Sequence, residues 1–235
     1  PALAELKAAL RDATLKLKHL TSIGEANVEY GNPIIEVKID KEGKKIHIID
    51  QGLGMTADEV EKYINQVAFS GAEEFLDKYK DSAKDAGIIG HFGLGFYSAF
   101  MVASKVEIIT KSYKDEPAAH WTCDGSPEFT LVPAEKTTRG TDIILHVAED
   151  SEEFLEESRI QDLLVKYNKF MPIPIKFGSK DEVIKPGEGD DAKEETIQVD
   201  NIINNPTPAW TKAPADLTDA DYKSFYRELY PMQFE

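Results

Sequence analysis

The sequence predicts an α/β fold class, and three observations predict it. Leucines recur at helical spacing near the start. Apolar and polar residues then alternate in two neighbouring runs. Four more strand-like runs follow before a second long helical pattern.

Taken in order, residues 3–20 read as an amphipathic helix, with Leu3, Leu6, Leu10, Ala13, Leu17 and Leu20 on one stripe. "IIEVKID" (34–40) and "KKIHIID" (44–50) alternate and meet through Glu42-Gly43, a hairpin signal. "TADEVEKYINQV" (56–67) opens a helix, because Thr56 can cap it and Glu59, three residues on, completes a capping box. "GAEEFLDKYKDSAKDAG" (71–87) is charged and weakly periodic, and reads as a mobile cover. Strands are expected over 105–111, 118–123, 128–133 and 141–147, and a helix over 159–170. "MPIPIKF" (171–177) reads as a last edge strand, since its prolines exclude a central position. The stretch from Gly178 to Glu195 is more than half charged and broken by Pro-Gly, and reads as a linker. The tail regains aromatics and one helical stretch over about 218–229, as expected of the truncated start of a second domain. The expected organisation is one domain over 1–177, a charged linker over 178–200, and the opening of another domain over 201–235.

A chain of 235 residues holds one substantial domain plus a fragment, or two small domains. An apolar fraction of 41% with 9% aromatics supports a core. The formal charge of -16 argues against duplex nucleic acid or an anionic membrane as partner, and no apolar run approaches the length of a bilayer span. Cys123 is the single cysteine, which excludes an internal disulfide and fits a reducing compartment. No signal peptide is read, and a chain starting without Met is expected to have lost its true start.

Three segments carry candidate chemistry. In "HIIDQGLGM" (47–55), Asp50 ends a strand, and Gly52 and Gly54 leave the backbone behind it bare enough for a ligand to approach. A carboxylate there can accept from the exocyclic amine of a flat heterocycle; a plain β-turn would also satisfy the pattern. "GIIGHFGLGFYSAF" (87–100) runs a glycine-rich loop into an apolar helical stretch, which suits a phosphate cradle at a helix N-terminus or close packing through small residues. In "RGTDIILHV" (139–147), Thr141 opens a strand where its hydroxyl can address the same ring as Asp50, or serve only as a β-favouring residue.

Together, "DQGLGMTADEV", "FSGAEEF", "GHFGLGFYSAF" and "RGTDIILHV" closely resemble the N-terminal ATP-binding domain of the ninety-kilodalton heat-shock chaperones, the bacterial members in particular. "PAWTKAPADLTDADYKSFYREL" is similar to the opening of their middle domain. That domain shares a wider family with gyrase B, the mismatch-repair protein MutL and sensor histidine kinases. The resemblance implies a two-layer α/β sandwich, with a mixed, largely antiparallel sheet and helices on one face framing a nucleotide pocket. It implies that Asp50 and Thr141 read adenine, that Met55 and Ala13 pack near its ring, and that Gly54 lets the base approach. Gly93, Leu94, Gly95 and Phe96 would line the phosphate cradle, and residues 71–89 would form a lid over ATP.

The family's first motif, Glu-Leu-x-x-Asn-Ala-x-Asp-Ala, is matched by "ELKAALRDA". Glu5 stands at the general base, and Leu6, Asp12 and Ala13 match nucleotide-contacting positions. The asparagine that would bind Mg2+ is Ala9 here, whose methyl group cannot coordinate a hard cation. Phe69 replaces a frequent lysine at the base of the lid, and the middle-domain arginine that steadies the transferring phosphoryl group would lie beyond Glu235. The implied function is therefore the ATP/ADP-binding segment of a cytoplasmic, stress-responsive chaperone. The parent is a homodimeric clamp that remodels client proteins by ATP hydrolysis and needs neither nucleic acid nor membrane. Hydrolysis by this stretch alone is expected to be slow or lost. Two other readings stay open: a histidine-kinase-type ATP-binding domain, and a nucleotide- or partner-binding module without turnover.

Overall fold

Alternation in the sequence becomes burial on one face of a sheet. In the computed structural model, which describes residues 2–65, 78, 95–184 and 195–231 (backbone only over 2–10), eight strands form one sheet. They are β1 (Ile35–Asp40), β2 (Lys45–Ile49), β3 (Ala103–Lys111), β4 (Ala118–Cys123), β5 (Phe129–Ala134), β6 (Gly140–Val147), β7 (Ile175–Ile184) and β8 (Glu195–Ile202). Their order is β5-β4-β3-β6-β2-β1-β7-β8. Every pairing is antiparallel except β1 with β7, so the sheet is mixed and mostly antiparallel, as expected.

Register explains the core. Trp121, Ile108, Ile143, Ile48, Val37 and Phe177 are cross-strand partners in series, and all are buried. Because side chains alternate across a strand, the residues two positions away fall on the same face. There Val106 and Ile46 both pair with Leu145, again buried. Helix α1 (Ala2–Ser22) lays Leu15 against this core, buries Leu17 and Leu20, and packs on a 3-10 helix over Gly95–Met101. Helix α2 (Ala57–Ile64) buries Val60, and α3 (Glu157–Asn168) buries Ile160 and Leu164. The capping box read at Thr56 and Glu59 is present on α2, with both reciprocal hydrogen bonds. Among the described residues no helix is long and apolar enough to cross a membrane.

Two segments differ from expectation. The stretch 171–177 is not a last edge strand. Pro172 and Pro174 precede β7, which lies between β1 and β8, so their missing N–H groups interrupt no ladder. Pro174 instead offers its carbonyl to the Ile35 N–H at 2.9 Å. The second is the charged stretch 178–200, read as a linker, whose two ends are paired strands: Ser179–Ile184 against Glu195–Asp200. Its described residues are mostly exposed, and the one short apolar alternation, Ile197 and Val199 in β8, sits among charged and polar residues. The remaining tail carries α4 (Asp219–Leu229), capped by Thr218, with Phe225 in an aromatic cluster with Phe170 and Trp210.

Candidate nucleotide site

The same register that aligns the aliphatic core also builds a polar row one step toward the end of the sheet. Thr110 on β3 pairs with Thr141 on β6. The Asp50 N–H, just past β2, donates to the Thr141 carbonyl at 2.8 Å. Each residue continues the core-facing phase of its strand, following Ile108, preceding Ile143 and following Ile48 respectively, and each is buried. Three polar side chains thus occupy positions where the pattern below them is aliphatic.

Asp50 is 1% exposed. Its Oδ1 accepts from the Gly52 N–H at 2.5 Å, while the buried Oδ2 has no hydrogen-bond partner among the described residues. The turn expected as an alternative to a ligand site is therefore real, and it uses one carboxylate oxygen of two. Burial pushes the Asp50 carboxyl up to about 7. The Gly52 backbone hydrogen bond and the charges of Lys136 and Arg139 pull it back only in part. Buried oxygens are nearly always satisfied in folded proteins, so an orphaned one on an ionisable group marks a place kept for a ligand or water. A cavity of about 390 Å³ lies at this strand end, lined by Ile49, Asp50, Gln51, Lys136, Thr138 and Arg139 but not by Thr141, Met55, Gly54 or Ala13.

The backbone around the acid is fixed by close approach. Gly54 has φ of 63°, and a Cβ there would strike the Lys111 carbonyl. Its bareness is thus demanded first by the protein's own β3. At Gly52 a Cβ would lie 2.8 Å from the Ala13 backbone carbon and 2.9 Å from the Thr14 nitrogen, which brings α1 against the loop. Arg139 donates from Nε to the Gly52 carbonyl at 3.1 Å and pins the same loop from the other side. Half-buried Met55 follows, its N–H donating to Thr110 Oγ1 at 2.9 Å.

Of the residues expected to contact a nucleotide, Asp50, Gly54, Met55 and Thr141 come together, with Ala13 beside Gly52. Asp12 is buried and bonded to its neighbour, Arg11 Nη2 lying 2.7 Å from Oδ1. Phe96 stacks edge-on against Trp121, ring centroids 5.6 Å apart. Gly95 opens the 3-10 helix, a tighter turn than the helix expected there. Gly93, Leu94 and the expected lid over 71–89, Lys78 apart, lie outside the described residues. Glu5, Leu6 and Ala9 are on α1, where only the backbone is described. Sequence reading missed Thr110 and Arg139. Thr110 carried a usable signal: in "VEIIT" it falls in phase with Val106 and Ile108, a hydroxyl at a core position.

Residues 13–141 match the family described as histidine kinase-, DNA gyrase B-, and HSP90-like ATPase. The chain is 57% identical over 234 residues to the chaperone protein HtpG of Bacteroides thetaiotaomicron, covering 99% of this chain and 33% of that protein. It is 56% identical over 225 residues to HtpG of Porphyromonas gingivalis (95% and 32%), and 41% identical over 202 residues to HtpG of Bacillus subtilis (83% and 32%). The chain thus spans about a third of the length of the curated relatives it matches.

Proposed function

Since this chain belongs to the histidine kinase-, DNA gyrase B-, and HSP90-like ATPase family, we propose that it is the adenine-nucleotide-binding segment of an HtpG-type chaperone. Asp50 holds the exocyclic amine of adenine through Oδ2, and Thr141 addresses the adjoining ring edge. Met55 and Ala13 flank the base, Gly54 and Leu6 border it, and Gly93, Leu94, Gly95 and Phe96 serve the phosphates. The observation that supports this reading best is the orphaned oxygen of Asp50, buried within the matched region and beside Thr141. In water an amine and a carboxylate gain little from each other; in a dry site an unpaired acceptor makes the interaction strong and selective.

The reaction of the longer chain is ATP to ADP and phosphate, with Glu5 as the base that deprotonates the attacking water. The donor set does not fit Mg2+. Ala9 offers no ligand atom, and Asp12 spends Oδ1 on Arg11, so no step is routed through the metal. Turnover by this segment is accordingly slow or absent, and a nucleotide-binding module without turnover is the second reading, favoured by Ala9 alone. In the longer chain, nucleotide binding drives a cytoplasmic, homodimeric clamp acting on client proteins, with neither nucleic acid nor membrane as partner. Residues 1–177 form its nucleotide-binding unit, 178–200 a charged connection folded at its ends as the β7–β8 hairpin, and 201–235 the start of the next domain.

Isothermal titration with ADP, with and without magnesium, tests this. Binding that is indifferent to magnesium is the expected result. Absence of heat and of any thermal shift in both conditions refutes nucleotide binding, and a large gain with magnesium refutes the role given to Ala9.

A further inference from the structure

Thr110 is fully buried, and three polar atoms surround its hydroxyl. The Met55 N–H donates to Oγ1 at 2.9 Å, Thr141 Oγ1 lies at 3.0 Å, and the Gly140 carbonyl at 3.4 Å. A threonine hydroxyl has one hydrogen and two lone pairs. The Met55 bond takes one lone pair, so the hydrogen goes either to Thr141 or to Gly140. At 3.0 Å the Thr141 oxygen is within ordinary hydroxyl reach, whereas 3.4 Å to Gly140 is beyond it. Donation to Thr141 is the shorter of the two contacts open to the Thr110 hydrogen. Such donation occupies an acceptor of Thr141 and leaves the Thr141 hydrogen as the one available to a ligand.

We infer that Thr110 is a positioning residue of the nucleotide site, one that fixes Thr141 as a hydrogen-bond donor and so sets selectivity for adenine over 6-oxopurines. The inference rests on the adenine reading proposed above. The row then presents an acceptor at Asp50 Oδ2 beside a donor at Thr141 Oγ1. Adenine offers the complement on one edge, an amine next to a ring nitrogen that accepts. Hypoxanthine offers the reverse, a carbonyl next to a ring N–H, and meets two mismatches. The Met55 bond adds a second effect, holding the chain after Gly54 at the base of the same site.

The experiment compares ADP with IDP by titration calorimetry on the unsubstituted chain, Thr110→Val and Thr110→Ser. Val keeps the shape and removes the hydroxyl; Ser keeps the hydroxyl. Thr110→Val is expected to lose about tenfold in ADP affinity and to narrow the ADP-to-IDP preference by about tenfold, with Thr110→Ser within about twofold of the parent on both. A Val variant with the parent's affinity and preference overturns the inference. So does a loss of ADP affinity shared equally by Val and Ser with the preference unchanged, the pattern of a packing residue. On the unsubstituted chain, which needs no variant to fold, ADP lacking ring nitrogen 1 (the 1-deaza analogue) is expected to bind about tenfold more weakly than ADP. Equal affinity refutes the donor assignment while leaving nucleotide binding intact. Failure of the unsubstituted chain to bind ADP removes the adenine reading itself, and the inference with it.

Discussion

Two carboxylates on this sheet are both largely removed from water and behave oppositely. Glu107 lies on β3 on the face opposite the helices, with its side chain 14% exposed. Oε1 meets His146 and Lys105, and Oε2 meets His120 at 2.7 Å. Burial works to raise its carboxyl, but the hydrogen bonds from His146, Lys105 and His120 overcome that and hold it at about 2. Asp50, on the covered face, has a donor for one oxygen only, and burial drives it up to about 7. The difference lies in partners rather than depth. A carboxylate with every oxygen served by the protein is structural, and one left half-served within the family-matched stretch is poised for something that arrives.

Exchanging charge for a neutral isostere at each site should break the comparison most visibly. Asp50→Asn replaces the open acceptor with an amide whose N–H faces the ligand amine. ADP affinity is expected to fall at least about 100-fold by calorimetry. Glu107→Gln should leave affinity within about twofold. Equal losses from both would abolish the distinction.

The pH dependence of binding comes next. Adenine's amine favours the ionised acid, so affinity should weaken by up to about tenfold per pH unit below 7. Because a terminal phosphate titrates in the same range, adenosine is the control ligand. A flat adenosine profile from pH 5.5 to 8 contradicts the assignment to Asp50.

The smaller effects are on the stability of the ligand-free chain, and the two acids carry opposite signs. For Asp50 the folded value lies above the unfolded one, near 3.8, so the folded state holds the extra proton between about pH 4 and 7. Its contribution is greatest below about pH 4 and is lost as pH rises through 7. For Glu107 the folded value lies below the unfolded one, near 4.5, so its contribution is present above that pH and lost as pH falls through about 2. Thermal melts should therefore find Asp50→Asn more stable than the parent at pH 8, and Glu107→Gln less stable by about 1–2 kcal/mol. A stability gain from Asp50→Asn that persists unchanged at pH 4 would show that its charge is not the cause.

Much of the architecture was legible because local pattern and packing agree. Helix α1, the β1–β2 hairpin and the Thr56 capping box are each set by residues within a few positions of one another. The β7–β8 ribbon was hidden because a strand pair extending past the core is wetted on both faces and leaves only the brief alternation of Ile197 and Val199 among charges. The candidate site divides the same way. Asp50 and Thr141 carry their signal in residue type beside glycine, and the register sets them side by side. The role of Thr110 depends on a register between β3 and β6 some thirty residues apart, which no local window contains. The orphaned oxygen belongs to three dimensions alone, since a sequence names the carboxylate but not how many of its lone pairs are met.

Infrared difference spectroscopy of ADP addition near pH 6.5 tests the central claim most directly, reading the carbonyl band of a protonated buried carboxyl. The ligand-free chain should show that band, Asp50→Asn should lack it, and ADP should abolish it as the acid ionises against the adenine amine. A band that persists in Asp50→Asn, or that ADP leaves untouched while binding, would contradict the account.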